Sequence, residues 1–240
     1  MPDMAAEGGA PPGETGGRAG EAGGPPGLAD PLRVQAFSDG VFAIIVTLLI
    51  LDLRPPHVRP GGMLDALLHE WPSYLAFTIS FVYVSVLWLN HHALFRLVAR
   101  VDARLNWTNL ALLFSVVVIP FPTATLAAAF AEGNRYDERV AVAFYALTAT
   151  PMSVPWLVAF LYLIRHPELR APGISDRYLR AQVPRPVTGI VLYGLSAVLG
   201  WFVDPVLGVA AFVVMIIFHA ATSERMPTWL LRWLPHRPQA

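Results

Sequence analysis

The stretch from Arg33 to Asp52, Arg-Val-Gln-Ala-Phe-Ser-Asp-Gly-Val-Phe-Ala-Ile-Ile-Val-Thr-Leu-Leu-Ile-Leu-Asp, constrains this chain more than any other. It is apolar and long enough to span a bilayer, for which about 20 residues suffice. Yet it carries Ser38 and Asp39 within its first two turns. A carboxylate inside a span costs at least ~2.5 kcal/mol, so it needs partners and usually marks a functional site. On a helix, Phe37, Val41, Ile44, Leu48 and Leu51 recur at i, i+4, i+7, i+11 and i+14 and share one face. Asp39 lies nine positions before Leu48, which at about 100° per residue turns it to the opposite side. One face is a ladder of aliphatics, and the other holds a charge that needs company.

The composition places the whole chain in the same solvent. It is 55% hydrophobic and 14% charged, with a mean hydropathy of +0.51, whereas soluble domains approach about 25% charged. A net charge of zero argues against nucleic acid as a partner. Cysteine is absent, which excludes a disulfide framework, a thiol nucleophile and a Cys-based metal site. Residues 1–31 hold nine of the 18 glycines and six prolines and are expected to be a disordered tail. That tail lacks a charged segment followed by an apolar one, so it does not read as a signal peptide. Residues 32–223 form the membrane domain, and residues 224–240 a cytoplasmic or interfacial tail in which Trp229 and Trp233 act as interfacial anchors.

Six apolar segments are legible, making an all-α, six-transmembrane-helix protein: Val34–Leu53, Trp71–His91, Trp107–Ala128, Val140–Leu163, Val187–Val203 and Val206–Ser223. Pro120, Pro122, Pro151 and Pro155 are expected to kink the third and fourth helices. Thirteen arginines fall on one side of this topology, and only Arg54, Arg59, Arg135 and Arg139 on the other. The positive-inside rule then puts both termini in the cytoplasm of a multi-pass plasma-membrane protein. With that orientation, Ser38 and Asp39, the Trp88-Leu-Asn90-His91-His92 end of the second span, and Asn109 at the start of the third meet at one depth. Candidate donors to Asp39 are therefore Trp88, Asn90, His91 or His92, and Asn109.

These residues carry a resemblance. Arg33-x-x-x-Phe37-Ser38-Asp39-Gly40, followed by Ala43-Ile44-x-x-Thr47-Leu48-Leu49-x-Leu51, resembles the first-helix signature of the transmembrane protein 175 family of potassium channels. Trp88-x-Asn-His-His-x-x-Phe95, and Asn109 with Pro120-Phe-Pro-Thr123, resemble its second and third helices. The specific motifs lie in the first three spans, while the last three match only as generic apolar helices. The resemblance implies a homotetramer with K+ as the permeant ion and no cofactor. The pore would be lined by the first helix at Ile44, Thr47, Leu48 and Leu51, without the Thr-Val-Gly-Tyr-Gly filter of ordinary potassium channels, which is absent here. Aliphatic rings at one level can close such a path by dewetting. Arg33, Phe37, Ser38, Asp39, Trp88, Asn90, His91, His92 and Asn109 would then form a structural network away from the lumen.

Plainer and rival readings exist for each feature. An aliphatic stripe in a span ordinarily faces lipid or neighbouring helices, and only the resemblance assigns this one to a pore. Thr47 has a plainer role too, since threonine hydroxyls in spans commonly bond the carbonyl four residues back. Adjacent His91 and His92 diverge by about 100° on a helix and make a poor metal pair. No hydrolase, zincin or nucleotide-binding motif is present, so an enzyme is not expected. The alternative function is a secondary transporter or proton-coupled carrier that uses Asp39 and His91 as a relay.

Overall fold

Capping residues in the sequence fix where the helices begin. The computed structural model describes residues 28–56 and 58–223, and its α-helices in chain order are α1 (Pro31–Leu48), α2 (Met63–His69), α3 (Trp71–Phe95), α4 (Ala103–Val117), α5 (Pro120–Glu132), α6 (Arg135–Ala149), α7 (Ser153–Arg165), α8 (Asp176–Gln182), α9 (Pro184–Phe202) and α10 (Pro205–Ala221). Most of the expected N-terminal tail (as far as residue 27) and all of the tail at 224–240, with Trp229 and Trp233, lie outside the described residues. Asp30 caps α1 by accepting from the Leu32 amide at 2.9 Å, with Pro31 in the first turn, where its missing N–H costs nothing. Asp102, Asn134, Ser175 and Asp204 cap α4, α6, α8 and α10 in the same way. Gly133, at φ 68°, ends α5 in the left-handed conformation that glycine adopts without strain.

Proline divides two of the long helices. Pro120 opens α5 just after α4 ends, and Pro151 sits in a 3-10 turn, Thr150–Met152, between α6 and α7. Five helical stretches are long and apolar enough to cross a membrane: Pro31–Asp52, Trp71–Phe95, Ala103–Glu132, Arg135–Arg165 and Asp176–Phe202. Pro205–Ala221 is apolar but shorter, at 17 residues. The fifth stretch starts eleven residues earlier than Val187, because Ser175 caps α8 and Val183 keeps a helical backbone into α9. Arg177, Arg180 and Arg185 are thus helical rather than loop residues.

α9 packs against α10 and α6, α3 against α5 and α1, and α4 against α7 and α1. The α9–α10 contact is close because it is made by glycine: a Cβ on Gly208 would lie 2.6 Å from Val142 Cγ1 and 2.7 Å from Gly200 Cα. α1 has only α3 and α4 as major helical neighbours, so it sits at the edge of the bundle. Three segments at its N-terminal end are tied by backbone hydrogen bonds. Ala29 exchanges bonds with Val101 at 2.7 and 3.1 Å, Leu169 accepts from Ala99 at 2.8 Å, and Ala171 donates to Leu97 at 2.9 Å. This tie aligns the starts of α1 and α4 with the end of α3.

At the opposite end, the Asp204 carboxylate accepts from the Val206 amide at 2.8 Å and pairs with the Arg135 guanidinium. The Arg135 hydrogen bond holds the carboxyl below the usual aspartate value of 3.8. A group depressed in the folded state contributes stability above its unfolded value, and that contribution disappears as pH falls through the folded value. Asp204→Asn keeps the cap and removes the charge. The expected result is a small, salt-sensitive drop in denaturation midpoint at pH 7 that shrinks as pH falls below the usual aspartate value; a drop that stays constant through that range would exclude a charge effect.

Candidate functional site

Four hydrogen bonds join the polar residues of α1, α3 and α4. Ser38 is fully buried; its Oγ donates to the Val34 carbonyl at 2.9 Å and accepts from Asn109 Nδ2 at 3.0 Å. Asn109 Oδ1 in turn accepts from His91 Nε2 at 2.8 Å, so Asn109 ties α1 to α3 through its own amide. His91 has no solvent exposure, stacks on Phe95 at 4.6 Å and lies 5.4 Å from Phe42; its buried Nδ1 has no partner among the described residues. Beside this chain, Trp88 Nε1 donates to Asp39 Oδ1 at 2.8 Å, and Gln35 pairs with His92. α1 is therefore held to α3 at two levels one turn apart and to α4 at a third contact.

The structure brings together Ser38, Asp39, Trp88, His91, His92 and Asn109, but it separates others. Asn90 turns away from Asp39: its Nδ2 donates to the Val86 carbonyl at 2.9 Å and its Oδ1 accepts from Arg185 Nη2 at 2.6 Å. Arg33 and Phe37 are exposed on α1 and take no part in these hydrogen bonds. Asp39 and His91 belong to separate groups, with no hydrogen bond between them among the described residues. Gln35 was not anticipated, although it precedes Asp39 by four residues and so shares its face. A second buried polar group was also missed: Ser80 Oγ lies 2.7 Å from Thr123 Oγ1 and 3.0 Å from the Tyr145 hydroxyl, inside α3, α5 and α6. Its sequence signal was the pair Ser80 and Tyr83 on one face of an otherwise apolar span.

The other side of α1 is open. Phe42, Ile45 and Leu49 are in the core, whereas Ile44, Leu48 and Leu51 are 60%, 41% and 65% exposed, and Thr47 is exposed with them. Ala36, Gly40 and Ala43 form a small-residue strip beside that ladder and are exposed too. The Thr47 hydroxyl donates to the Ile44 carbonyl at 2.7 Å, which satisfies its proton and leaves its oxygen able to accept. Among the described residues there is no group of three or more His, Asp or Glu that could hold a metal ion.

Known proteins resemble this chain in sequence and in fold. Residues 33–120 match the family model described as endosomal/lysosomal potassium channel TMEM175. A potassium channel of Streptomyces collinus is 39% identical over 197 residues, covering 82% of this chain and 94% of its own. The crystal structure of a lysosomal potassium-selective channel TMEM175 homolog from Chamaesiphon minutus matches with a TM-score of 0.69 and 34% identity, over 81% of this chain and 98% of that one. The endosomal/lysosomal proton channel TMEM175 of Gallus gallus is 30% identical over 212 residues; 80% of this chain is covered, but only 42% of that protein. With a helical membrane architecture, the first-helix polar signature and a relative matched almost end to end, the chain belongs to the TMEM175 family of ion channels.

Proposed function

We propose that the chain forms a homotetrameric potassium channel in the plasma membrane, with α1 of each copy and the 3-10 turn Leu49–Asp52 that continues it lining the pore through Ile44, Thr47, Leu48 and Leu51. The observation that carries this reading is the exposed aliphatic face of α1, on a helix whose other side is packed and pinned. A single α1 cannot enclose a path, and the strip of Ala36, Gly40 and Ala43 lets copies approach closely. Branched side chains at one level exclude water when the ring is narrow, and Thr47 supplies a hydroxyl oxygen between them. The Ser38, Asp39, Trp88, His91, His92 and Asn109 group fixes the rotation of α1 and so aims the ladder. Potassium is favoured because the relatives covered almost in full, from Streptomyces collinus and Chamaesiphon minutus, are named for it. Purified protein in a planar bilayer should give unitary potassium currents, and its mass in detergent should be that of four 26.3 kDa chains. Slow, saturable flux without unitary steps would favour a carrier built on Asp39 and His91 instead, and monomers alone would remove the shared pore.

The six-crossing topology, with both termini cytoplasmic, rests on the arginine distribution and on α10 completing the bundle. At 1.5 Å per residue, α10 spans about 25 Å, enough for a hydrocarbon core that thins slightly around it. A reporter fused after Arg237 should read as cytoplasmic; an external signal would overturn the sixth crossing.

A further inference from the structure

Arg185 is a cation within a membrane-spanning stretch that has no carboxylate partner among the described residues. Its guanidinium reaches only neutral groups, with Nη1 3.0 Å from Gln182 Oε1 and Nη2 2.6 Å from Asn90 Oδ1. Its Nε is buried with no acceptor among the described residues. Charged groups in spans are normally paired, and a buried donor without a partner calls for an explanation. The side chain borders a cavity of about 60 Å³ between the end of α3, α7, α8, the start of α9 and the end of α10. That is several times the room one water requires. Its polar lining includes Asn90, Ser153, Tyr178, Gln182, Arg185 and His219, and no acidic residue contributes to it. Leu94, Trp156 and Phe160 make the rest of the wall apolar. Arg177 and Arg180 are exposed on the adjoining α8.

We infer that this cavity binds a phosphate-type oxyanion, free or as the headgroup of an anionic lipid, held by Arg185 at the arginine-rich end of the bundle. The chemistry is specific in three respects. A guanidinium whose Nη1 and Nη2 each keep a second N–H beyond the bonds to Gln182 and Asn90 offers charge-assisted bonds to a tetrahedral oxyanion. Neutral hydroxyl, amide and imidazole groups can complete the shell without repelling it. The apolar half of the wall suits the glycerol and acyl carbons that follow a lipid phosphate. This site is separate from the proposed pore, since none of its lining residues lies on α1.

Thermal denaturation of the detergent-purified full chain tests it, with inorganic phosphate and dihexanoyl phosphatidylglycerol as probes and dihexanoyl phosphatidylcholine as the control, all at constant ionic strength. The expected result is a midpoint that rises with probe concentration and saturates, as for any ligand that binds only the folded state. A response to phosphate alone assigns a free oxyanion; a response to phosphatidylglycerol but not phosphate assigns the lipid headgroup. Arg185→Gln should raise the half-saturating concentration at least about tenfold. Gly189→Ala leaves every charge in place but sets a methyl 2.9 Å from Ser153 Oγ and 3.2 Å from His219 Nε2, and it should weaken binding in the same direction. It decides the matter if Arg185→Gln does not fold. Equal shifts with phosphatidylcholine, equal responses in the folded variants, or no saturable shift with either probe would overturn the site.

Discussion

Ile44→Asn raises the passive current about tenfold and moves the potassium-to-sodium permeability ratio toward one. In the proposed assembly the substitution acts in every copy at one level, so its effects converge on a single constriction. An ion entering an isoleucine ring loses hydration and gains no oxygen ligand, whereas asparagine supplies a carbonyl and lets water remain. Lowering the barrier by about 1.4 kcal/mol is enough for a tenfold change. Leu48→Asn should act in the same direction from the next level of the ladder. Ile50 is the control: it is 47% exposed, but in the 3-10 turn Leu49–Asp52 it lies about 120° round from Leu51. Ile45 is unsuitable because it is only 1% exposed, and a polar group there would damage the core against α3 and α4. Planar-bilayer recordings with paired potassium and sodium gradients measure both quantities. Equal effects at Ile44 and Ile50 would mean that this face does not line a pore.

Long apolar runs made the helices legible in the sequence, because in hydrocarbon a backbone has few ways to satisfy its own polar groups. The interruptions at Pro120 and Pro151 were legible for the related reason that proline lacks an N–H. The depth at which Ser38, Asp39, Trp88, His91, His92 and Asn109 gather followed from topology. The pairing among them did not, because it depends on the rotation of each helix, and about 100° separates adjacent candidates. Asn90 shows this: one residue from His91, it points to Arg185 on α9 instead of Asp39. Arg185 shows a second limit. Counted by charge, it was one more loop arginine, but the capped α8 carries the helix back far enough to enclose it. Arg170 is similar, with its Nε donating to the Leu163 carbonyl at 2.6 Å, so it closes the end of α7 as well as marking a side of the membrane.

Asn109→Ala should cost the fold more than any other single change in the polar network. Asn109 is only 5% exposed, and its amide serves both neighbouring helices, donating to Ser38 and accepting from His91. Without it His91 keeps no hydrogen bond among the described residues, since Nδ1 already lacks one there, and the fully buried ring sits against Phe42 and Phe95. An unsatisfied buried group costs about 1–3 kcal/mol, and the deleted side-chain volume adds to it, so a loss of about 3 kcal/mol is expected. Ser38→Ala should cost less, because it strands one amide donor and leaves the imidazole bonded. Asp39→Asn should also cost less, because the asparagine oxygen still accepts from Trp88 Nε1 and only the charge assistance is lost. Pairing Asn109→Leu with His91→Phe removes donor and acceptor together and fills the space, which ought to recover much of the loss. Denaturation midpoints in detergent, read beside the yield of assembled protein, provide the measurement. If the network serves to aim α1, current and assembly should fall together in Asn109→Ala and return together in the double variant. An unchanged midpoint with altered ion preference would instead place Asn109 in the conduction path, because a group that only holds a helix in register cannot change selectivity while stability stays the same.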